Sequence, residues 1–201
     1  MTSRRGGSSP DGVEIVAVDA GTWDTFEELF APGGVQGGCW CSYFSMTAKD
    51  YSQSTPDERH AHVRARVEAG TPFGLVARVD GVASGWVAVS PRACNVRLSR
   101  SRVAAVEKGR DLSDTWSVVC FYSRRDARRT GLSRELLDAA VSYARERGAR
   151  YVEGYPVDVE GSSVPADERY HGRLDVFLEA GFTLVERRGK RRALVRLDLT
   201  A

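Results

Sequence analysis

One stretch, residues 116–155, constrains the fold more than any other part of the chain. An apolar run rich in β-formers at 116–123 leads into the loop Arg128-Arg129-Thr130-Gly131-Leu132-Ser133. Leu132, Leu136, Leu137, Ala140, Val141 and Ala144 then recur at helical spacing, Gly148 marks a stop, and a strand-like run follows at 151–155. The order strand, loop, helix, strand puts backbone N–H groups at a helix N-terminus, where they can bind phosphate oxygens and the helix dipole favours negative charge. Gly131 permits close backbone approach, Arg128, Arg129 and Arg134 add positive charge, and a bulky side chain at 131 would obstruct a ligand. A solvated basic helix start would carry the same pattern.

The flanking segments supply the rest of a sheet. Residues 13–18 read as a first strand, with Trp23, Phe26, Leu29 and Phe30 at helical spacing beyond it. Thr55-Pro56-Asp57-Glu58 is a helix start and Gly70 a stop. Two strand-like runs at 73–79 and 82–89 are joined by Asp80-Gly81, a strong hairpin signal. Leu174, Phe177 and Leu178 suggest a last helix closed by Gly181, and strands at 182–185 and 193–199 flank a basic turn at 187–192. The stretches 39–44 and 91–114 have no clear period, and the polar connector 156–168 is long for a connector, which makes it either mobile or functional. A polar, Gly/Ser-containing start sets residues 1–12 apart as a flexible tail before one domain spanning 13–201.

Composition narrows the function classes. With 201 residues and 42% hydrophobic content, the chain can bury a real core. Its 29 basic and 27 acidic residues nearly cancel, and no pattern of stacked aromatic and basic residues accompanies the arginines, so nucleic acid is not an expected partner. No apolar run approaches the ~20 residues that cross a bilayer, so neither a membrane partner nor an export signal is expected. Four cysteines, two of them in Cys39-Trp40-Cys41, suit neither a disulfide framework nor a four-ligand zinc site. A cytoplasmic protein without a metal is the expectation. His60 and His62, two apart on a helix, are expected on the surface.

The 128–133 loop resembles the signature of the GNAT (GCN5-related) N-acetyltransferase superfamily, in which Arg or Gln is followed at the third place by Gly and at the fifth by Gly or Ala. Here the fifth place is Ser133. The hairpin, the strand before the loop, the helix after it and Phe177-Leu178-Glu179-Ala180-Gly181-Phe182 follow the family order across roughly residues 13–199. Cys39-Trp40-Cys41, Val89-Ser90-Pro91-Arg92, Ser117-Val118-Val119-Cys120-Phe121 and Val152-Glu153-Gly154-Tyr155-Pro156-Val157 are similar to a bacterial group within it whose members mostly lack an assigned substrate.

The resemblance implies an α/β (α+β) GNAT fold: a mixed central sheet of six to seven strands, splayed between the fourth and fifth and flanked by helices. It implies acetyl-CoA as cosubstrate, its pantetheine arm along Phe121, Tyr122 and Ser123 and its pyrophosphate on residues 128–133 (Arg128, Arg129, Thr130, Gly131, Leu132, Ser133) with Arg134 adjacent. A strand N–H near Phe121 would then serve the oxyanion. The glutamate of some protein-acetylating members is replaced by Ser117, and the general-acid tyrosine of many relatives by Leu178. Glu153, on one strand face with Tyr151 and Tyr155, becomes the first candidate base, with Tyr170 and His171 as substitute catalytic groups. For each, an ordinary structural role is about as well founded. Trp40, Cys41, Tyr43 and Tyr155 are candidates for the acceptor pocket, although a packed cysteine is the commoner case. Cys120 reads as packing.

The expected reaction is transfer of acetyl from acetyl-CoA to the primary amine of a small molecule, a metabolite or antibiotic, by a monomer or homodimer. Acids at Asp158, Glu160, Asp167 and Glu168 would suit a cationic amine. Acetylation of a protein N-terminus or lysine is the enzymatic alternative, and a non-catalytic acyl-CoA-binding module the third.

Overall fold

The computed structural model describes residues 12–31, 35, 37–106, 109–158 and 168–200. The expected tail, apart from Gly12, and most of the 156–168 connector, Glu160 and Asp167 included, lie outside these residues. Seven strands form one sheet: β1 (Val13–Ala17), β2 (Gly74–Val79), β3 (Val82–Pro91), β4 (Thr115–Ser123), β5 (Tyr151–Gly154), β6 (Thr183–Arg188) and β7 (Arg192–Asp198), in the spatial order β1-β2-β3-β4-β5-β7-β6. All neighbours are antiparallel except β4 and β5, which run parallel. The crossover between those two is α4 (Leu132–Glu146), the helix its apolar stripe announces.

Local chemistry explains the elements around the sheet. Asp80 and Gly81 both take positive φ, 50° and 80°, as a tight hairpin turn with right-handed strand twist requires. α1 (Trp23–Phe30) buries Trp23, Phe26, Leu29 and Phe30 on one side. α3 (Pro56–Glu68) begins on a capping box: the Thr55 hydroxyl accepts from the Glu58 N–H at 3.2 Å while the Glu58 carboxylate accepts from the Thr55 N–H at 2.7 Å. Two short helices complete the set, α2 (Ala48–Gln53), which the sequence pattern does not signal, and α5 (Leu174–Glu179). No described helix is long and apolar enough to cross a membrane.

The pleat divides the core in two. Leu75, Ala77, Val87 and Val89 face α4 and α5, whereas Val76, Trp86 and Ala88 face α1 and α3. All six apolar-stripe residues of α4 are buried in the first core, which fixes where the helix begins and therefore where the 128–133 loop sits.

The sheet opens between β4 and β5. They pair only from Thr115↔Tyr151 to Val118↔Gly154, after which β4 continues to Ser123 without a β5 partner. Two features separate them. A Cβ at Gly154 would collide with the Phe177 ring, so only glycine lets that ring pack against the strand at this point. Pro156, two residues on, has no N–H to continue a ladder. A 3-10 turn, Arg169–His171, packs against β4 beyond the opening. On its other side β4 bulges against β3: Ala88 pairs with Cys120 and Val89 with Val118, leaving Val119 as the extra residue.

Candidate active site

The β4 end leads directly into the loop. Arg128 Nε donates to the Ser123 carbonyl at 3.2 Å, and Thr130 Oγ1 to the Ala127 carbonyl at 3.0 Å, which holds the loop's shape from within. Arg129 and Gly131 both take positive φ, 66° and 93°. Gly131 caps α4 with no side chain to satisfy the first N–H groups, so those of Leu132 and Ser133 have no intrahelical acceptor. A Cβ built on Gly131 meets nothing within 4 Å, so the space in front of these groups is open. Arg128 and Arg129 are exposed beside it, whereas Arg134 is committed to Asp138 at 2.9 Å. Open N–H groups, a helix dipole and two exposed guanidiniums fit a pyrophosphate.

Two cavities lie beside the 3-10 turn that packs on the free end of β4, and the smaller also touches β4 itself. The larger, about 540 Å³, is walled by residues 96–101, by the start of α2 and by Tyr155, Tyr170, His171 and Arg192. The smaller, about 240 Å³, lies against Cys39, Cys41, Cys120 and Tyr122. Tyr43, Phe44 and Tyr170 line both, so these three side chains form the partition.

The expected site residues divide between these spaces and the core. Phe121 is buried, its ring 6.0 Å from Phe177, while Tyr122 is half-buried on the smaller cavity. Cys41 is buried there too, its Sγ accepting from Trp86 Nε1 at 3.1 Å. Burial and contact with Cys41 hold the thiols of Cys39 and Cys120 above their ordinary pKa, which leaves them protonated packing groups. Tyr43 lies under the Arg97 guanidinium at 3.9 Å. Trp40 is placed differently from expectation. It lines neither cavity, because φ values of 46° and 52° at Trp40 and Cys41 turn its ring into the second core against Phe30 and His60. Left-handed backbone at bulky residues costs ~1–2 kcal/mol each, and here it aims Cys41 at the cavity. His60 and His62 are half-buried rather than on the surface, held by Glu27 at 2.7 Å and Ser45 at 3.1 Å.

Glu153 differs most from its expected role. It is 0% exposed, and its carboxylate receives Arg92 at 3.4 Å, Arg110 at 3.0 Å and Arg196 at 3.0 Å, with the Tyr155 hydroxyl at 3.2 Å. Burial pushes its pKa up and the arginines oppose that shift. A carboxylate whose lone pairs are already taken by three guanidiniums is a structural anchor, out of reach of an acceptor amine. It holds the Tyr155 hydroxyl, which also meets Ser117 Oγ at 3.1 Å and Arg92. Ser117 therefore closes a buried network where some relatives carry a glutamate, and Leu178 is 42% exposed and touches neither cavity.

His171 is 8% exposed, and burial lowers its pKa to about 2, with Arg192 adding to the shift and a hydrogen bond to the Val119 backbone opposing it. The ring is neutral at neutral pH and a poor base, so the expected catalytic role gives way to one of positioning the turn on β4. An unfolded histidine titrates near ~6.5. The neutral ring thus contributes stability above that pH, and the contribution is lost as pH falls toward the folded value. Urea unfolding at pH 7, 6 and 5 is expected to show stability falling by up to about 1.4 kcal/mol per unit more steeply than in His171→Gln. Identical slopes would place the ring in water.

The sequence matches the model of the acetyltransferase (GNAT) family over residues 40–171, about two thirds of the chain. The chain belongs to this family. No curated protein matches it. Among solved structures, this GNAT domain is similar to an N-acetyltransferase from Staphylococcus aureus Mu50 (14% identity, TM-score 0.55, covering 94% of this chain and 99% of that one). It is similar also to a Salmonella typhimurium protein solved with its cofactor acetyl-CoA (18%, 0.54, 94% and 95%). A third is the ribosomal-protein-alanine N-acetyltransferase of Brucella melitensis (16%, 0.51, 92% and 99%). At such identities the likeness concerns the fold. It agrees with the mixed sheet opened between β4 and β5.

Sequence reasoning missed the 96–101 wall, Arg97, Arg100 and Arg192. The first three lie in the stretch without periodicity, and Arg192 reads as part of an exposed turn although it opens β7 beside the larger cavity. Asp158 and Glu168 do not line that cavity; they pair with Arg187 at 2.6 Å and Arg191 at 3.3 Å.

Proposed function

We propose that this GNAT domain transfers an acetyl group from acetyl-CoA directly to the primary amine of a small molecule. The observation that carries the reading is the 540 Å³ cavity beside the 3-10 turn on the free end of β4, a volume suited to a compact acceptor. Acetyl-CoA supplies an activated thioester. The Leu132 and Ser133 N–H groups with Arg128 and Arg129 hold its pyrophosphate, and β4 beyond Val118, which has no β5 partner, offers its edge to the pantetheine arm. A strand N–H near Phe121 donates to the carbonyl oxygen as charge develops there.

The amine enters neutral from the larger cavity. Its nitrogen bonds to the acetyl carbon as the carbon–sulfur bond breaks, its surplus proton leaves through water, and the departing thiolate takes a proton from a donor at the partition. Tyr170 is that donor. It lines both cavities, and burial raises its pKa to about 12, so the phenol stays protonated at neutral pH.

Release of CoA thiol that depends on an added small amine, with the acetylated amine identified by mass spectrometry, tests the proposal. Acetylation of peptides and of no small amine would overturn it. In the same assay Tyr170→Phe is expected to lower kcat by about 100-fold, the low end for general acid catalysis, with acetyl-CoA affinity unchanged. An unaltered kcat would remove Tyr170 from the proton path.

A further inference from the structure

Among the described residues, the charged side chains lining the larger cavity are of one sign. Arg97, Arg100 and Arg192 contribute to its wall, and among the described residues no aspartate or glutamate does. Arg192 gives one guanidinium nitrogen to the Tyr155 carbonyl at 2.6 Å, while its Nε is buried with no hydrogen-bond partner, and no described carboxylate pairs with it. Among the described residues, Arg97 donates to the Met46 and Thr47 carbonyls, at 3.1 and 3.3 Å, and its guanidinium lies over the Tyr43 ring. Arg100 is exposed at the rim. Behind Tyr155, the lone Glu153 carboxylate faces Arg92, Arg110 and Arg196, so the cluster there also carries excess positive charge. The nearest acids along the chain are occupied elsewhere: Asp50 accepts from Thr47 Oγ1 at 2.6 Å and Glu168 pairs with Arg191.

A half-buried guanidinium with no direct ion pair is costly: burial lowers the Arg192 pKa from its ordinary value, and Tyr170 and Glu168, the latter already paired with Arg191, oppose that shift. An anionic group on the ligand would relieve that cost, whereas a second cation would add to it. The bidentate geometry of arginine matches carboxylate and phosphonate oxygens. We infer that the acceptor is an amino acid-like molecule, an amine bearing a carboxylate or phosphonate, and that Arg192, Arg97 and Arg100 recognise the anion while the amine points to β4. This rests on the acyl-transfer reading and replaces the cationic amine suggested by the acids of the 156–168 connector.

The test is CoA thiol release by the full chain with matched amines: L-methionine and L-phenylalanine against their carboxamides, 2-aminoethylphosphonate against ethanolamine, and spermidine as a polycation. Acetyl-CoA affinity is measured separately by calorimetry. The anionic member of at least one pair is expected to exceed its neutral partner by roughly 100-fold in kcat/KM, since a site built to pair a charged group rejects analogues lacking it. The two anion classes are ranked by the same assay. Arg192→Gln should abolish that preference chiefly through KM, and the exposed Arg100→Gln should weaken it in a protein whose folding is not in question. Equal or better turnover of the carboxamides, ethanolamine or spermidine would overturn the anion assignment and leave acyl transfer standing. Tight acetyl-CoA binding with no amine of either arm acetylated would overturn the acyl-transfer reading itself.

Discussion

Replacing Gly131 by leucine is expected to remove measurable acetyl-CoA binding, a loss of roughly 1000-fold or more, while the protein remains folded. Two or three charge-assisted hydrogen bonds from the start of α4, each contributing ~1.5–3 kcal/mol, reach that size when lost together. The geometry makes the substitution selective. Among the described residues, nothing beyond the adjoining chain lies within 4 Å of a Cβ at this position, so a side chain there obstructs what comes from solvent. A φ of 93° is strained for leucine, so thermal unfolding should record a cost of ~1–2 kcal/mol. Calorimetric titration of variant and parent with acetyl-CoA reads the first effect and a melting curve the second. Retained affinity in a folded variant would detach the loop from the cofactor.

Glu153→Ala is expected to destabilise the fold by about 3–5 kcal/mol, the usual cost of removing one partner from a buried ion pair. Arg92 is itself buried, and Arg110 and Arg196 are mostly so, which leaves three guanidiniums without the carboxylate they share. For a chain of this size that loss corresponds to a melting point lower by roughly 6–20 °C. Denaturant unfolding measures it. A general base would behave in the opposite way, losing kcat at unchanged stability, so the variant separates the anchor from the catalyst. Acetyl-CoA affinity should survive in the fraction that remains folded.

The sequence was most informative where its signals were local. The Asp80-Gly81 turn, the Thr55 to Glu58 capping box and the α4 stripe each depend on residues within one or two turns of one another, and each stands where its pattern puts it. The loop's place was legible for the same reason: Gly131 stands at the N-cap of α4, directly before the apolar stripe. Strand alternation even placed Glu153 and Tyr155 on one side, where they meet at 3.2 Å. What alternation does not carry is what comes to meet them. Arg92 and Arg110 arrive from the stretch without periodicity, 61 and 43 residues away along the chain. Their arrival turns an apparent base into a buried anchor. Trp40 shows a second limit, because positive φ at two consecutive non-glycine residues leaves no mark in composition and reverses which way the ring points. Arg192 shows a third: charge in a basic turn looks solvated until the cavity it borders is seen.

A crystal structure with acetyl-CoA tests the central claim most directly. The pyrophosphate oxygens are predicted within ~2.7–3.2 Å of the Leu132 and Ser133 N–H groups, with the pantetheine arm along β4 beyond Val118 and the acetyl group opening toward Tyr170 and the larger cavity. Pyrophosphate density away from the start of α4, or an acetyl group facing away from that cavity, would contradict it.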